Sequence, residues 1–194
     1  MTPFDLVMIL GLLACFIIGY AQGITRRLLG IGAILFSLGL GAQLRTPFGG
    51  YLAGEWSTIA ADYSFMFGFG AVFVASAVAI SILIQISYRP APLLWRYPVL
   101  DELLGGCLGV LEGLLIFMAV LIIMDPYFLG GSGAGAAAVP GEFGLLRNLS
   151  TFIDDSIFAS VMRENVIPGL FVVFGFIFPP EVVDHFTAVV LTLA

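Results

Sequence analysis

"LDELLGGCLGVLEGLLIFMAVLIIMD", residues 100–125, decides the fold. From Leu103 to Met124 it is apolar and long enough to cross a hydrocarbon core, which takes about 20 helical residues at ~1.5 Å each. Gly105, Gly109 and Gly113 recur at i, i+4 and i+8, so they share one helical face. Glu112 is the discordant residue. On an ideal helix it falls within about 20° of Gly105 and close to Asp101, on the glycine face, so it points at protein and not at lipid.

Three more stretches have the same character: Phe4–Gln22, Leu28–Leu44 and Ser64–Ile86. Of the 194 residues, 60% are hydrophobic and 10% charged, and the mean hydropathy is +1.11. These values define an all-α integral membrane protein with a four-helix transmembrane bundle. The seven basic residues are all arginines, dispersed without a run, which excludes a nucleic-acid binder and a polybasic tail. Cys15 and Cys107 fall in apolar runs, and the only histidine, His185, lies beside Asp184 far from both. A disulfide, a metal site or a haem is therefore not expected, and no cofactor is expected. The first span is not read as a cleaved leader, because Asp5 stands where a basic residue belongs and the apolar run continues past Cys15.

Arg26 and Arg27 lie between spans one and two, and Arg89 and Arg96 between spans three and four. The positive-inside rule puts both connections in the cytoplasm, with Arg45 dissenting, so the N- and C-termini are expected on the outer, periplasmic side of a bacterial inner membrane. Most of the net charge of −6 comes from acids beyond Met124.

In lipid, apolar burial does not drive helices together, and small residues that allow close backbone approach mark contact faces. Span two offers Ala33, Ser37 and Gly41, and span three Ala71, Ala75 and Ala79, in each case on one face. Phe65, Phe67, Phe69 and Phe73 are expected to fill lipid contacts or a partner interface. The connection "YRPAPLLWRYPVLDE", residues 88–102, suits the membrane–water boundary through its prolines and aromatics. The reading divides the chain into a bundle over residues 1–125, a Gly/Ala-rich linker over 126–141 and an interfacial extension over 142–194. Within the extension, Leu145, Leu149, Phe152, Ile153 and Ile157 have the spacing of an amphipathic helix. "PGLFVVFGFIFPP", residues 168–180, is too short between its prolines to span and is read as re-entrant or surface-bound.

"PFDLVMI" at the start, "GYAQGITRRLL" at the first turn and "LDELLGGCLGVLEGLLI" in span four resemble the colicin V production protein (CvpA) family of small four-span inner-membrane proteins. The resemblance covers Thr2 to about Asp125 and weakly extends to about Ile157. It implies a role in exporting a secreted peptide toxin without specifying a molecular activity. The family's first motif reads Arg-Gly, two residues, then Arg-Glu; its second reads Asp-Arg-Leu-Leu-Gly followed by Arg-Gly. Here Gln22 replaces the first Arg, Arg27 the Glu, and Glu102 and Glu112 the two arginines of span four. An ion pair of reversed polarity between the first turn and span four is expected, with Arg27 as its cation.

Asp101 and Glu102 are within easy reach of Arg26 and Arg27 at the membrane boundary. Glu112 lies ~16 Å further along the axis, and reaching it requires the turn, with Gly19 and Gly23, to dip into the bilayer. Left ionised without a cation, Glu112 would cost several kcal/mol. The candidate charges are thus Glu112, Arg26, Arg27, Asp101, Glu102 and Asp5. No catalytic triad, metal-ligand spacing or phosphate-binding glycine loop is present, so an enzyme is not expected. A scaffold or accessory subunit of a membrane complex or export process fits best. A proton- or ion-coupled conduit using Glu112 is the alternative. Expected partners are membrane lipid and either another protein or a second copy.

Overall fold

The computed structural model describes residues 2–56, 61–87, 96–128, 144–178, 180 and 183. The helices are α1 (Pro3–Glu55), α2 (Ala61–Ser87), α3 (Pro98–Phe128), α4 (Gly144–Asp154), α5 (Ile157–Val161) and α6 (Ile167–Phe174). A π-turn, Met162–Val166, joins α5 to α6, and a 3₁₀ turn, Gly175–Ile177, follows α6. Helices are what lipid permits, because every backbone N–H and C=O must be satisfied within the segment. The residues around Trp95, the Gly/Ala-rich linker from residue 129 on, and Asp184 with His185 lie outside the described residues, while the linker's first three residues, 126–128, continue α3.

α1 opens with Thr2 as N-cap and Pro3 at N1. Thr2 Oγ1 accepts from Asp5 N at 3.3 Å, and Asp5 Oδ2 accepts from Thr2 N at 2.8 Å, closing a capping box. Gly23, at φ 74° and ψ 175°, breaks the helix into two arms. Positive φ costs any other residue roughly 1–2 kcal/mol.

Using α3 as a ruler, the two arms run in opposite directions. Phe4 meets Phe117 with ring centroids 5.6 Å apart. A Cβ on Gly113 would stand 3.0 Å from Cys15 Sγ, and one on Gly105 would stand 2.7 Å from Gly19 O and 2.8 Å from Gly23. The first arm is therefore antiparallel to α3. Beyond Gly23 the direction reverses. Arg27 and Gly30 reach Glu112, and Leu38 joins Met118, Leu121 and Ile122 in one buried cluster. Sequence spans one and two are the arms of this hairpin, and span four is α3.

The second arm continues to Glu55, through Pro47 and well past the expected end at Leu44. Packing overrides the proline here: Gly49 and Gly68 meet closely, and Phe65 lies against Gly49. α2 leans on this arm through Tyr63, Met66, Phe69 and Phe73, all buried. Ala71, Ala75 and Ala79, expected as its contact face, are exposed instead. The small partner at this interface comes from α1. Gly41 makes room for Phe69, whose ring would stand 2.9 Å from a Cβ there.

Among the described residues four helices are long and apolar enough to cross a membrane: α1, Tyr63–Ser87 of α2, Pro98–Pro126 of α3, and Ile157–Ile177. The last differs from the sequence reading. Pro168 does not end a segment, because the helical run enters it from Ile157 through the π-turn, so length no longer excludes a crossing. The contacts nevertheless hold both ends of this run at one end of the bundle. Ser156 and Ile157 meet Asp5, while Ile177 lies against Gly39 and its carbonyl accepts from Gln43 Nε2 at 2.7 Å. Counted along the two arms from the Gly23 turn, Asp5 and Gly39 stand at about the same height in the hairpin. The expected amphipathic helix is also two pieces, since α4 stops at Asp154 and Ser156 caps α5.

Candidate functional site

The sequence explains why a charged pair can sit in this bundle. Gly19, Gly23, Gly105 and Gly109 let the first arm and α3 approach backbone to backbone; a Cβ on Gly109 would stand 3.0 Å from Gly19 Cα. That contact seats the turn against the first coil of α3, with Gly23 facing the Asp101 carboxylate. Arg27, one helical turn later, is thereby carried inward to Glu112.

Arg27 Nη1 donates to Glu112 Oε2 in an ion pair whose side chains are only 11% and 18% exposed. Of the acids that the sequence put within reach, this is the deep one. Asp101 is buried beside Gly23, and Glu102 lies near the Tyr20 hydroxyl. The turn therefore sits low enough for the Glu112 pairing, as its glycines permit. Gly30 faces the same carboxylate, 2.7 Å from Glu112 Oε1 to a Cβ that glycine lacks. Arg27 and Glu112 also occupy the positions where the resemblance expects Glu and Arg.

Beside the pair lies a polar cavity of about 210 Å³, lined by Gln22, Arg26, Arg27, Ser81, Gln85 and Glu112 among others. It brings the hairpin, α2 and α3 together. Arg26 makes no ion pair among the described residues, and the buried Arg27 Nε has no hydrogen-bond partner there. Two guanidinium groups thus face one carboxylate.

The other predicted positions fall into two sets. Ala33, Ser37 and Gly41 line the buried face of the second arm; Gly105 and Gly109 are buried and Gly113 half-buried on α3. Asp5 belongs to the opposite end of the bundle. Besides its capping box, it accepts from Ser156 Oγ at 2.8 Å and Ile157 N at 3.1 Å, tying α5 to the start of α1.

Sequence reasoning missed a second ionic cluster at that end. Arg163 Nε and Nη2 donate to Asp125 Oδ2 and Oδ1 at 2.7 and 2.9 Å, and Nη2 also donates to Asp154 Oδ1 at 2.7 Å. This fork fastens the π-turn and α4 to the end of α3. Asp125, an acid closing an apolar run, was the available signal, but nothing local to it identifies a cation nearly forty residues away.

Among the described residues no three His, Cys, Asp or Glu converge as metal ligands. Cys15 is half-buried and Cys107 exposed, both unbridged. The arrangement is suited to holding charge inside a bundle beside a small polar cavity. No curated protein and no solved structure matches the chain. The family model described as colicin V production protein matches residues 4–166, from the first turn of α1 through the π-turn, and the chain belongs to that family.

Proposed function

We propose that the protein is a non-enzymatic scaffold or accessory subunit of a membrane complex or export process, in the bacterial inner membrane with the Gly23 turn toward the cytoplasm. The observation that carries this reading is the Arg27–Glu112 pair. An acid neutralised by a neighbouring guanidinium fixes the register between hairpin and α3, and it does not need to exchange protons to do so. The docked α4–α6 segment supports the same reading, since it is fastened by Asp5 and Arg163 and presents exposed Val172, Val173 and Phe176 to its surroundings. The partner would be another membrane protein or a second copy of the chain.

The conduit reading keeps one supporting observation, the polar cavity that Glu112 shares with Ser81 and Gln85. Glu112→Gln separates the two, because it preserves shape and removes ionisation. The scaffold reading expects assembly size in mild detergent to survive, because the amide oxygen of Gln still accepts from Arg27 at some cost in stability, and ion flux in proteoliposomes to match wild type. Intact assembly with lost proton or cation flux would overturn it and establish the conduit.

A further inference from the structure

The polar cavity does not end in protein. Ile84 is shared between it and a second, apolar cavity of about 340 Å³ lined by Leu29, Ile80, Leu83, Ile84 and Ser87. The second is a groove between the second arm of α1 and α2, running from Ser87 at the helix end to Ile80, about 10 Å inward along the helix. Leu83 and Leu29 are exposed along it, as lipid-facing residues are.

Charge and depth agree at this junction. Gln85 lies two residues from the end of α2, and Gln22 and Arg26 flank the Gly23 turn, so the mouth of the polar cavity stands at the end of the bundle. Its floor is the Arg27–Glu112 pair. Of the charged side chains lining the cavity, Arg26 and Arg27 outnumber Glu112 by one, the carboxylates of Asp101 and Glu102 lying outside its lining, and the Arg27 Nε proton is buried and unused. Its volume corresponds to roughly seven waters at ~30 Å³ each, room for a phosphodiester group. A cationic niche opening onto an apolar groove is complementary to an anion joined to a hydrocarbon chain.

We propose that these two cavities form one binding site for a single anionic phospholipid. Its phosphate is held by Arg26 with Gln22 and Gln85, and one acyl chain lies in the groove between Leu29, Ile80 and Leu83. A zwitterionic lipid satisfies the groove but brings its own cation, which Arg26 and Arg27 repel. This inference is independent of the scaffold reading, since either a scaffold or a conduit could carry a bound lipid.

The test uses the full chain in nanodiscs of phosphatidylcholine containing phosphatidylglycerol, transferred to mild detergent for native mass spectrometry. One phosphatidylglycerol is expected to be retained, in preference to phosphatidylcholine by about tenfold, the scale of one charge-assisted hydrogen bond. Arg26→Gln should abolish the preference. Leu83→Trp, which fills the groove from its exposed side, should lower retention of phosphatidylglycerol without changing the fold. Should Arg26→Gln unfold the chain, Gln85→Leu tests the same wall from α2 and should reduce the preference. Equal retention of the two lipids, a preference unmoved by Arg26→Gln and Gln85→Leu, or retention unmoved by Leu83→Trp would overturn the proposal. Displacement of the lipid by inorganic phosphate as readily as by added phosphatidylglycerol would overturn it too, in favour of a small-anion site.

Discussion

Replacing Glu112 with Leu should destabilise the protein more than almost any other single change in the bundle. The side chains of the pair are 11% and 18% exposed, so most of the interaction is shielded from water. At an effective dielectric of about 20, unit charges ~4 Å apart attract by ~4 kcal/mol. Orphaning one member of a buried pair typically costs about 3–5 kcal/mol. Because the polar cavity can admit water to the stranded group, Glu112→Leu is expected near ~3 kcal/mol. Arg27→Leu should cost less, since a stranded carboxylate can take up a proton and a stranded guanidinium cannot give one up. The double variant R27L/E112L replaces both charges by apolar groups and should recover most of the loss, leaving a coupling of at least ~2 kcal/mol. The swap R27E/E112R, which gives the polarity that the family resemblance implies, should also recover stability. Unfolding by sodium dodecyl sulfate, followed by far-UV circular dichroism in detergent micelles, supplies the four corners of the cycle. If the double variant loses the sum of the singles to within ~0.5 kcal/mol, the two side chains are not coupled and the argument for a register-fixing pair collapses.

Gly109→Ala places a methyl against Gly19 and the Cys15 carbonyl, backbone that cannot swing aside, and should cost ~1–3 kcal/mol or more in the same titration. Ala75→Leu, on the exposed face of α2, should stay within ~0.5 kcal/mol of wild type. Gly23→Ala adds about 1–2 kcal/mol of backbone strain and pushes on Asp101, whereas Gly32→Ala, with nothing within 4 Å of the new methyl, should stabilise by ~0.5–1 kcal/mol. Ser156→Ala removes the cap that accepts from Phe158 N and Ala159 N and the bond to Asp5, a local loss of ~1–2 kcal/mol. Hydrogen exchange should then speed up in α5 while the amides of α1 and α3 keep their rates.

What could be read from the chain follows from what lipid demands of it. A segment in hydrocarbon must be apolar and helical whatever its neighbours are, so the first arm, α2 and α3 are visible one at a time, and so is an acid aimed at the glycine face of α3. Depth is a different kind of property. Whether Arg27 meets Glu102 or Glu112 depends on how far the Gly23 turn sinks, and that is set by Gly19 and Gly23 nesting on Gly105 and Gly109, a contact between segments. The continuation of the second arm past Pro47 and the break of the amphipathic stretch at Ser156 have the same origin. The first rests on Gly49 meeting Phe65 and Gly68, and the second on Asp5 receiving Ser156. The exposed alanines of α2 make the reason specific. Close packing requires that the two surfaces together leave no excess volume, not that both be small. Between the first arm and α3, glycine meets glycine; between the second arm and α2, Gly41 receives Phe69 and Gly49 receives Phe65. A stripe of small residues marks a contact only when its partner is known, so Phe65 and Phe69, expected to fill lipid contacts or a partner interface, pack against α1, and Ala71, Ala75 and Ala79 face outward.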